Sequence, residues 1–268
     1  MTEQAQQDGL LPDDVVAVIN PSGAGRVVLA CEHASNVVPP ELNDLGLSAA
    51  VLQSHIAWDI GAMAVAEAMS AQLDAPLIAQ RVSRLVHDCN RYPSAMDAIP
   101  QRSEYQVIPG NEGLSAAERK DRSARYYAPF CEALSTYIEA RVGESQALPV
   151  LVTVHSFTPV YKSKERTVEI GILHDSDARL ANEILKCADE DGKFTVLRNA
   201  PYGPEDGVTF TLDRHATPHR LLNVMIEIRS DLIATEDSQH AIAKLLSGWV
   251  HSALANHEAD QKHEALQS

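Results

Sequence analysis

The chain alternates short apolar runs with longer segments in which apolar residues recur every three to four positions. The short runs predict β-strands at residues 26–30, 76–80, 150–154, 168–173, 195–197 and 222–228. The longer segments predict helices at residues 54–72, 115–141, 177–189 and 238–257. Strands that alternate with helices are typical of α/β proteins. We therefore expect a three-layer α/β fold, with helices on both faces of a mostly parallel or mixed central sheet.

Residues 90–113 follow neither period, because proline and glycine interrupt the segment repeatedly. Irregular segments of this length in compact domains are usually functional or disordered. We expect a long ordered loop or lid here, and we expect residues 92–113 and 198–217 to form the wall of a ligand pocket. After it, Ser115 and Glu118 have the spacing of a capping box at a helix start. We interpret residues 1–268 as a single catalytic domain, with a core at residues 15–257 and a flexible acidic tail after residue 257.

Charge and composition narrow the possible partners. The 37 acidic residues outnumber the 22 basic ones, and the net charge of −15 repels nucleic acid and anionic membrane surfaces. Residues 1–14 contain no apolar run of the kind found in targeting segments, and no stretch reaches the ~18 apolar residues of a membrane span. We therefore expect a cytoplasmic protein with neither nucleic acid nor a membrane as partner. The four cysteines lie far apart and predict reduced, buried thiols: Cys31, Cys89, Cys131 and Cys187.

Two histidines stand directly after predicted strands, where α/β sheets bind their ligands. His33 follows the first strand and His155 follows the strand at residues 150–154. Either one alone is explained by an ordinary hydrogen-bonded structural role. Together they supply two of the three protein ligands that a catalytic zinc site needs, and a carboxylate would supply the third. Glu32, Asp59 and Asp88 are all candidates for that carboxylate.

Other charged residues allow two interpretations each. Glu227 lies inside an apolar strand, so it is either neutralised by an arginine or kept as a working base. Arg84, Arg91 and Arg102 either balance nearby acids at the surface or grip a substrate carboxylate with the planar arginine fork. The second interpretation predicts a small anionic ligand.

Three further histidines are weaker candidates. His55 lies four residues before Asp59 in the predicted helix, so both side chains would share one helical face and reach a metal. Asp59 alone is the preferred ligand of the two. His215 and His219 surround a proline and are expected to lie in a loop. The chain also lacks the Gly-x-Ser-x-Gly motif of many serine hydrolases.

Five segments in this order resemble the N-formylglutamate amidohydrolase family, over roughly residues 27–235. This family belongs to the phosphorylase/hydrolase-like superfamily, which it shares with the zinc carboxypeptidases. The matching segments are Glu32-His33-Ala34-Ser35-Asn36, the stretch from His55 to Ala62, the stretch from Ser83 to Arg91, Val154-His155-Ser156-Phe157 and Ile226-Glu227-Ile228-Arg229.

The resemblance implies a zinc site. His33 matches the first metal ligand of the superfamily, and His155 matches the last. Carboxypeptidases carry a glutamate three residues after the first histidine, whereas this chain has Asn36 there. The third ligand must therefore come from elsewhere, and the family-like Trp58-Asp59 segment favours Asp59.

The resemblance also implies roles around the metal. Glu227 resembles the general base of a terminal strand that reads Glu-x-Arg, with Arg229 as its arginine. Asn90 and Arg91 resemble a pair that binds a substrate carboxylate. Arg84 is expected to stabilise the developing oxyanion, and Ser156, next to His155, is expected to contact substrate together with Arg229.

Together these features predict a metal-dependent amidohydrolase that cleaves a small N-acyl amino acid. The resemblance makes N-formyl-L-glutamate the expected substrate, with formate and L-glutamate as products. One alternative is a deacylase or carboxypeptidase-like hydrolase for a different acylated amino acid. Another is a non-catalytic anion-binding protein that has lost its metal. The sequence does not specify an oligomeric state.

Overall fold

A seven-stranded mixed sheet organises the residues that the computed structural model describes, which are 15–144 and 147–267. The prediction about targeting segments concerns residues 1–14 and lies outside this range. The strands are β1 Val16–Ile19, β2 Val27–Cys31, β3 Leu77–Gln80, β4 Arg102–Ser103, β5 Gln106–Val107, β6 Val150–Phe157, β7 Val160–Tyr161, β8 Lys164–Glu165, β9 Ile170–Leu173, β10 Val196–Arg198 and β11 Leu222–Arg229.

The strands of the main sheet follow the order β1-β3-β2-β6-β11-β9-β10. The four central strands β3, β2, β6 and β11 are parallel, so their carboxyl ends lie at one edge of the sheet. β1 and β9 run antiparallel to their neighbours β3 and β11. The short strands β4–β5 and β7–β8 form separate two-stranded hairpins. The sheet is therefore mixed, with a parallel centre.

Helices connect the strands and cover the sheet. They are α1 Ala49–Leu52, α2 Ala62–Leu73, α3 Ala116–Arg122, α4 Ala128–Glu144, α5 Arg179–Asp191, α6 Phe210–His215 and α7 Glu236–Gln267. A π-helical turn, Ser123–Tyr127, joins α3 to α4. Short 3₁₀ segments lie at Pro40–Gly46, Met96–Ala98, Pro109–Asn111, Pro204–Asp206, Thr217–His219 and Ser230–Ile233.

Alternation along the strands sends side chains to two apolar layers. On one face, Leu29, Val152 and Val224 pack in a core with α2, α5 and α7. On the other face, Leu151 and Met225 pack in a core with α4 and α6. The predicted three-layer α/β fold is confirmed. The four cysteines are buried and free, as expected.

The prediction for residues 54–72 is wrong in its first half. The helix begins only at Ala62, and the residues before it form turns. The backbone N–H of Asp59 donates to the carbonyl oxygen of His33, outside any helix, at 2.9 Å. Gly61 then adopts φ +82°, and a Cβ there would lie 2.7 Å from the carbonyl oxygen of Ile233. His55 and Asp59 therefore do not share a helical face.

Other elements extend beyond their predicted ends. β6 continues to Phe157, so His155 lies inside the strand instead of after it. The closing helix is predicted to end at His257, but α7 continues to Gln267. The irregular segment at residues 90–113 contains the hairpin β4–β5, and His215 ends helix α6 instead of lying in a loop. None of the helices within the described residues is long and apolar enough to cross a membrane.

We predict that Gly171→Ala destabilises the fold by about 1–3 kcal/mol, the usual cost of overpacking. Gly171 lies in β9, and a Cβ there would lie 2.0 Å from the carbonyl oxygen of Ala200. Gly248→Ala is the matched control, since no atom lies within 4 Å of its added Cβ in helix α7. This control should gain about 0.5–1 kcal/mol. Urea unfolding of both variants measures the difference, and equal midpoints would contradict the prediction.

Candidate metal centre and its pocket

A cavity of about 400 Å³ opens at the edge of the sheet where the central strands end. His33 follows β2, His155 lies in β6, and Glu227 pairs directly with His155 across the parallel β6–β11 ladder. Asp59 reaches the same cavity from the turn before α2. The topology thus brings together residues that are distant in sequence.

Three ligand-type atoms meet at the base of this cavity. The Nδ1 atoms of His33 and His155 lie 3.2 Å apart. The Oδ2 atom of Asp59 lies 3.2 Å from the first and 2.9 Å from the second. All three residues are buried. We call this group the His33–Asp59–His155 triangle.

Two further carboxylates contact the far nitrogens of the histidines. Asp88 Oδ1 lies 2.8 Å from Nε2 of His33. Glu32 Oε2 lies 3.1 Å from Nε2 of His155. Carboxylates in this position are typical partners of metal-binding histidines, because they hold the proton on the outer nitrogen and aim the lone pair of the inner one at the ion.

The triangle fits a metal ion on its donor chemistry. Asp88 and Glu32 lie beside the outer Nε2 atoms, and the inner Nδ1 atoms of His33 and His155 face each other and the Asp59 carboxylate. Ligand-type atoms at such distances repel unless a proton or a metal ion lies between them. Ligand atoms about 2.0–2.2 Å from a tetrahedral Zn²⁺ are roughly 3.3 Å apart, close to the spacing observed. A buried triangle of this kind could hold a metal ion.

Charge around the triangle also favours a cation. Burial lowers the pKa of His155, but Glu32 and Asp59 outweigh it and raise this pKa well above its usual value. Burial and Arg84 likewise lower the pKa of His33, while its acidic neighbours produce a net rise. Burial raises the pKa of Asp59, yet the two histidines hold it well below its usual range. The carboxylates therefore draw positive charge to the site.

The sequence leaves three carboxylates as candidates for the third metal ligand, and these three lie at different places in the structure. Glu32 and His33 lie in the turn that directly follows β2. The carboxylate of Glu32 contacts the outer nitrogen of His155, whereas Asp59 joins the triangle. Asp88 binds the outer nitrogen of His33.

Glu227 lies in the cavity with a carboxylate oxygen that is not otherwise engaged. Its side chain is buried, and Oε2 has no hydrogen-bond partner among the described residues. Burial and Asp59 raise the pKa of Glu227 and His155 opposes them, with a net rise to about 7. A carboxyl group in this state both accepts and donates a proton near neutral pH.

Arg84 borders the triangle from the loop that follows β3. Its Nη2 donates to Asp88 Oδ2 at 2.7 Å, and its Nη1 lies 3.5 Å from Asp59 Oδ1. The side chain is partly exposed to the cavity. Arg84 therefore neutralises part of the carboxylate charge and keeps further N–H groups for a ligand.

Asn90 and Arg91 both line the cavity but are engaged differently. The amide of Asn90 donates to the carbonyl oxygen of Val208 and accepts from Thr211, so it ties two loops together. Arg91 donates to Asp97 and to the carbonyl oxygens of Asn90 and Gly207, all at 3.0 Å. Arg91 keeps its guanidinium at the cavity wall, whereas the Asn90 amide is occupied.

Ser156 lines the cavity, whereas Arg229 does not. The backbone N–H of Ser156 lies 3.3 Å from Asp59 Oδ2, and its hydroxyl donates to the carbonyl oxygen of Ile60. The Nε of Arg229 donates to Asp231 Oδ1 at 2.8 Å. The arginine of Glu-x-Arg thus lies away from the triangle.

Sequence reasoning missed two features of the cavity wall. His55 does not reach the triangle; its Nε2 lies 2.6 Å from Glu104 Oε1 in the turn of the β4–β5 hairpin. Tyr202 also lines the cavity, and its hydroxyl accepts a hydrogen bond from Arg166. Both features depend on irregular segments, whose path no period in the sequence predicts.

The fold and the cavity define the class: an α/β protein with a candidate metal centre at the carboxyl ends of its parallel strands. The family model described as N-formylglutamate amidohydrolase matches residues 25–234. The chain belongs to the N-formylglutamate amidohydrolase family, and its class is that of an amidohydrolase. The resemblance seen in the sequence is confirmed.

Solved structures resemble the chain over most of its length. A gene product of Agrobacterium tumefaciens is 52% identical, with a TM-score of 0.89 over 92% of this chain and 97% of that one. N-formylglutamate amidohydrolase from Ralstonia eutropha JMP134 is 20% identical, with a TM-score of 0.57 over 93% of this chain and 99% of that one. The second likeness concerns the fold. A search of the curated proteins found no match.

We predict that His155→Ala and Asp59→Asn abolish stoichiometric binding of a divalent metal, because each removes a donor of the triangle. Glu32→Gln and Asp88→Asn should weaken binding by about 10- to 100-fold, the usual effect of losing an outer partner. Metal content after dialysis against zinc, measured by mass spectrometry, checks both. His55→Ala is the control and should retain the metal. Unchanged metal content in the triangle variants would contradict the assignment.

Proposed function

We propose that this protein is a zinc-dependent amidohydrolase that cleaves N-formyl-L-glutamate to formate and L-glutamate. The observation that carries the proposal is the triangle of His33, Asp59 and His155 next to the unpartnered carboxylate oxygen of Glu227, within the described part of the chain. Metal-dependent hydrolysis needs both, since an ion and a proton acceptor must face the same reacting group. Membership of the N-formylglutamate amidohydrolase family supports the substrate.

His33, Asp59 and His155 would hold the zinc, and two imidazoles with one carboxylate are a ligand set that leaves a fourth position open. The ion would act as a Lewis acid on the amide carbonyl and lower the pKa of a water molecule to about 7. The remaining chemistry belongs to side chains of the cavity.

Glu227 moves the proton. Its free Oε2 accepts a proton from the attacking water, whose oxygen adds to the formyl carbon. The same carboxyl group then gives the proton to the amide nitrogen, so that the carbon–nitrogen bond breaks with a neutral amine as leaving group. The water oxygen stays with formate. Proton transfer of this kind typically contributes about 10²–10⁴-fold to the rate.

Arg84 would stabilise the oxyanion that develops on the formyl oxygen. Asp88 and Asp59 fix its guanidinium beside the triangle, so its donors are oriented before the substrate arrives. Loss of one such donor costs roughly 3–4 kcal/mol in transition-state stabilisation. Ser156 supports the same arrangement through its backbone N–H, which donates to the Asp59 carboxylate.

Arg91 would bind the α-carboxylate of the substrate. Asp97 and two carbonyl oxygens hold its guanidinium at the cavity wall, and the arginine fork matches a carboxylate in shape. Asn90 acts with it by fastening the neighbouring loop at Val208 and Thr211. The ligand is therefore a small, anionic acylated amino acid.

The proposal predicts that the purified protein releases formate from N-formyl-L-glutamate. Activity should disappear when a chelator removes the metal and return when zinc is added, because the triangle is then refilled. A formate assay under the three conditions measures this. Zinc binding without formate release would contradict the substrate, and activity that a chelator does not touch would contradict the metal dependence.

We predict that Glu227→Gln lowers kcat by about 10²–10⁴-fold with little change in KM, because glutamine keeps the shape of the side chain but cannot carry the proton. The variant should retain its zinc, since Glu227 is not part of the triangle. Glu183→Gln is a control with a buried glutamate on α5 whose partner is Lys186 and which does not line the cavity. A kcat for Glu227→Gln close to that of wild type would remove Glu227 from the mechanism.

A further inference from the structure

We propose that Arg102 binds the side-chain carboxylate of the substrate and thereby makes the site selective for acylated amino acids with an acidic side chain. This inference rests on the proposed function and adds the residue that recognises the side chain of the substrate. Arg102 lies in β4, on the hairpin that borders the cavity. The sequence alone leaves its role open between a surface ion pair and a substrate fork.

The three arginines of the cavity differ in their ion pairs. Arg84 is paired with Asp88, and Arg91 is paired with Asp97. Arg102 has no ion pair within the described part of the chain, and its one hydrogen bond there is a long contact of 3.5 Å to the carbonyl oxygen of Tyr105. Arg102 is therefore the arginine of this cavity whose charge no ion pair among the described residues compensates.

A nearby acid is kept away from Arg102 by another residue. Glu104 follows two positions later, in the turn of the same hairpin, and also lines the cavity. Its Oε1 lies 2.6 Å from Nε2 of His55. His55 thus holds a carboxylate that would otherwise be the closest partner along the chain for Arg102. We assign His55 as a positioning residue that keeps Arg102 available.

The hairpin is fixed at its base, so the backbone that carries Arg102 is held in place before a ligand binds. The backbone N–H of Ile108 donates to the carbonyl oxygen of Gln101 at 3.0 Å. The buried amide of Asn111 donates to the carbonyl oxygens of Pro100 and Leu85 at 2.7 and 2.8 Å. A fixed attachment lowers the entropy cost of ordering the binding group.

The location of Arg102 matches one end of an extended substrate. The triangle lies buried at the base of the cavity, whereas Arg102 is exposed at its rim. A substrate with its formyl group at the triangle directs its side chain toward the rim. Since the net charge of −15 repels anions at long range, a carboxylate at the rim needs a local cation. Arg102 supplies it.

The test compares Arg102→Gln with wild type on N-formyl-L-glutamate and on the uncharged isostere N-formyl-L-glutamine. We expect kcat/KM for the glutamate substrate to fall about 10- to 100-fold, mainly through KM, and that for the glutamine substrate to change little. Arg198→Gln is the control, since this exposed arginine does not line the cavity. Equal changes on both substrates, or none on either, would overturn the inference.

Binding of the product separates this inference from the proposed function. Calorimetry of L-glutamate and L-glutamine with the zinc-loaded protein needs no turnover. The inference predicts that Arg102→Gln raises the Kd of L-glutamate by about 10- to 100-fold and leaves that of L-glutamine unchanged. If wild type releases no formate yet shows this pattern, the proposed reaction is wrong and the assignment of Arg102 stands. If wild type does not prefer L-glutamate, the assignment is wrong.

A second pair of variants tests the role of His55. His55→Ala releases Glu104, which then competes with the ligand for Arg102 and raises the Kd of L-glutamate. The double variant His55→Ala/Glu104→Gln removes the competing charge and should restore the affinity of wild type. A merely structural role of His55 would leave the double variant as weak as the single one. That result would overturn its assignment as a positioning residue.

Discussion

The compensation of buried negative charge at the carboxyl edge of the sheet is the constraint on which the site depends. Glu32, Asp59, Asp88 and Glu227 are all buried there. Unpaired buried charge is costly, and Arg84 is the arginine that forms ion pairs with two of these acids. The rest of the positive charge must come from the histidines or from an ion. Buried carboxylates would destabilise the fold without compensation, and the same carboxylates form a place where a cation can bind.

The fold and the meeting of His33 with His155 could be predicted because they depend on regular structure. Apolar runs mark the parallel strands, and parallel strands end at a common edge, so the pattern of residues is enough to bring His33 and His155 together. The same reasoning indicates Glu227, since a carboxylate in an apolar strand is costly to bury without a partner. The family resemblance then favoured Asp59 over the other acids.

The surroundings of the triangle could not be predicted because they depend on irregular backbone. His55 and Asp59 have helical spacing, yet a hydrogen bond from the Asp59 backbone to His33 replaces the helix there. The side-chain amide of Asn90 forms hydrogen bonds with Val208 and Thr211, and these bonds depend on the backbone path of a segment that is distant in sequence. No local pattern records such long-range contacts. For the same reason, the sequence does not show which acidic residue forms an ion pair with each arginine.

The order of the site residues along the chain has a consequence for how the molecule assembles. The triangle takes its members from a turn after β2, from the approach to α2 and from β6, while β11 joins the sheet beside β6 only near the end of the chain. Contacts of such large sequence separation form slowly in folding. Because no fragment that lacks β6 contains all three candidate donors, a folding intermediate without that strand does not complete the triangle. Any metal that the triangle holds would therefore enter only a nearly complete fold.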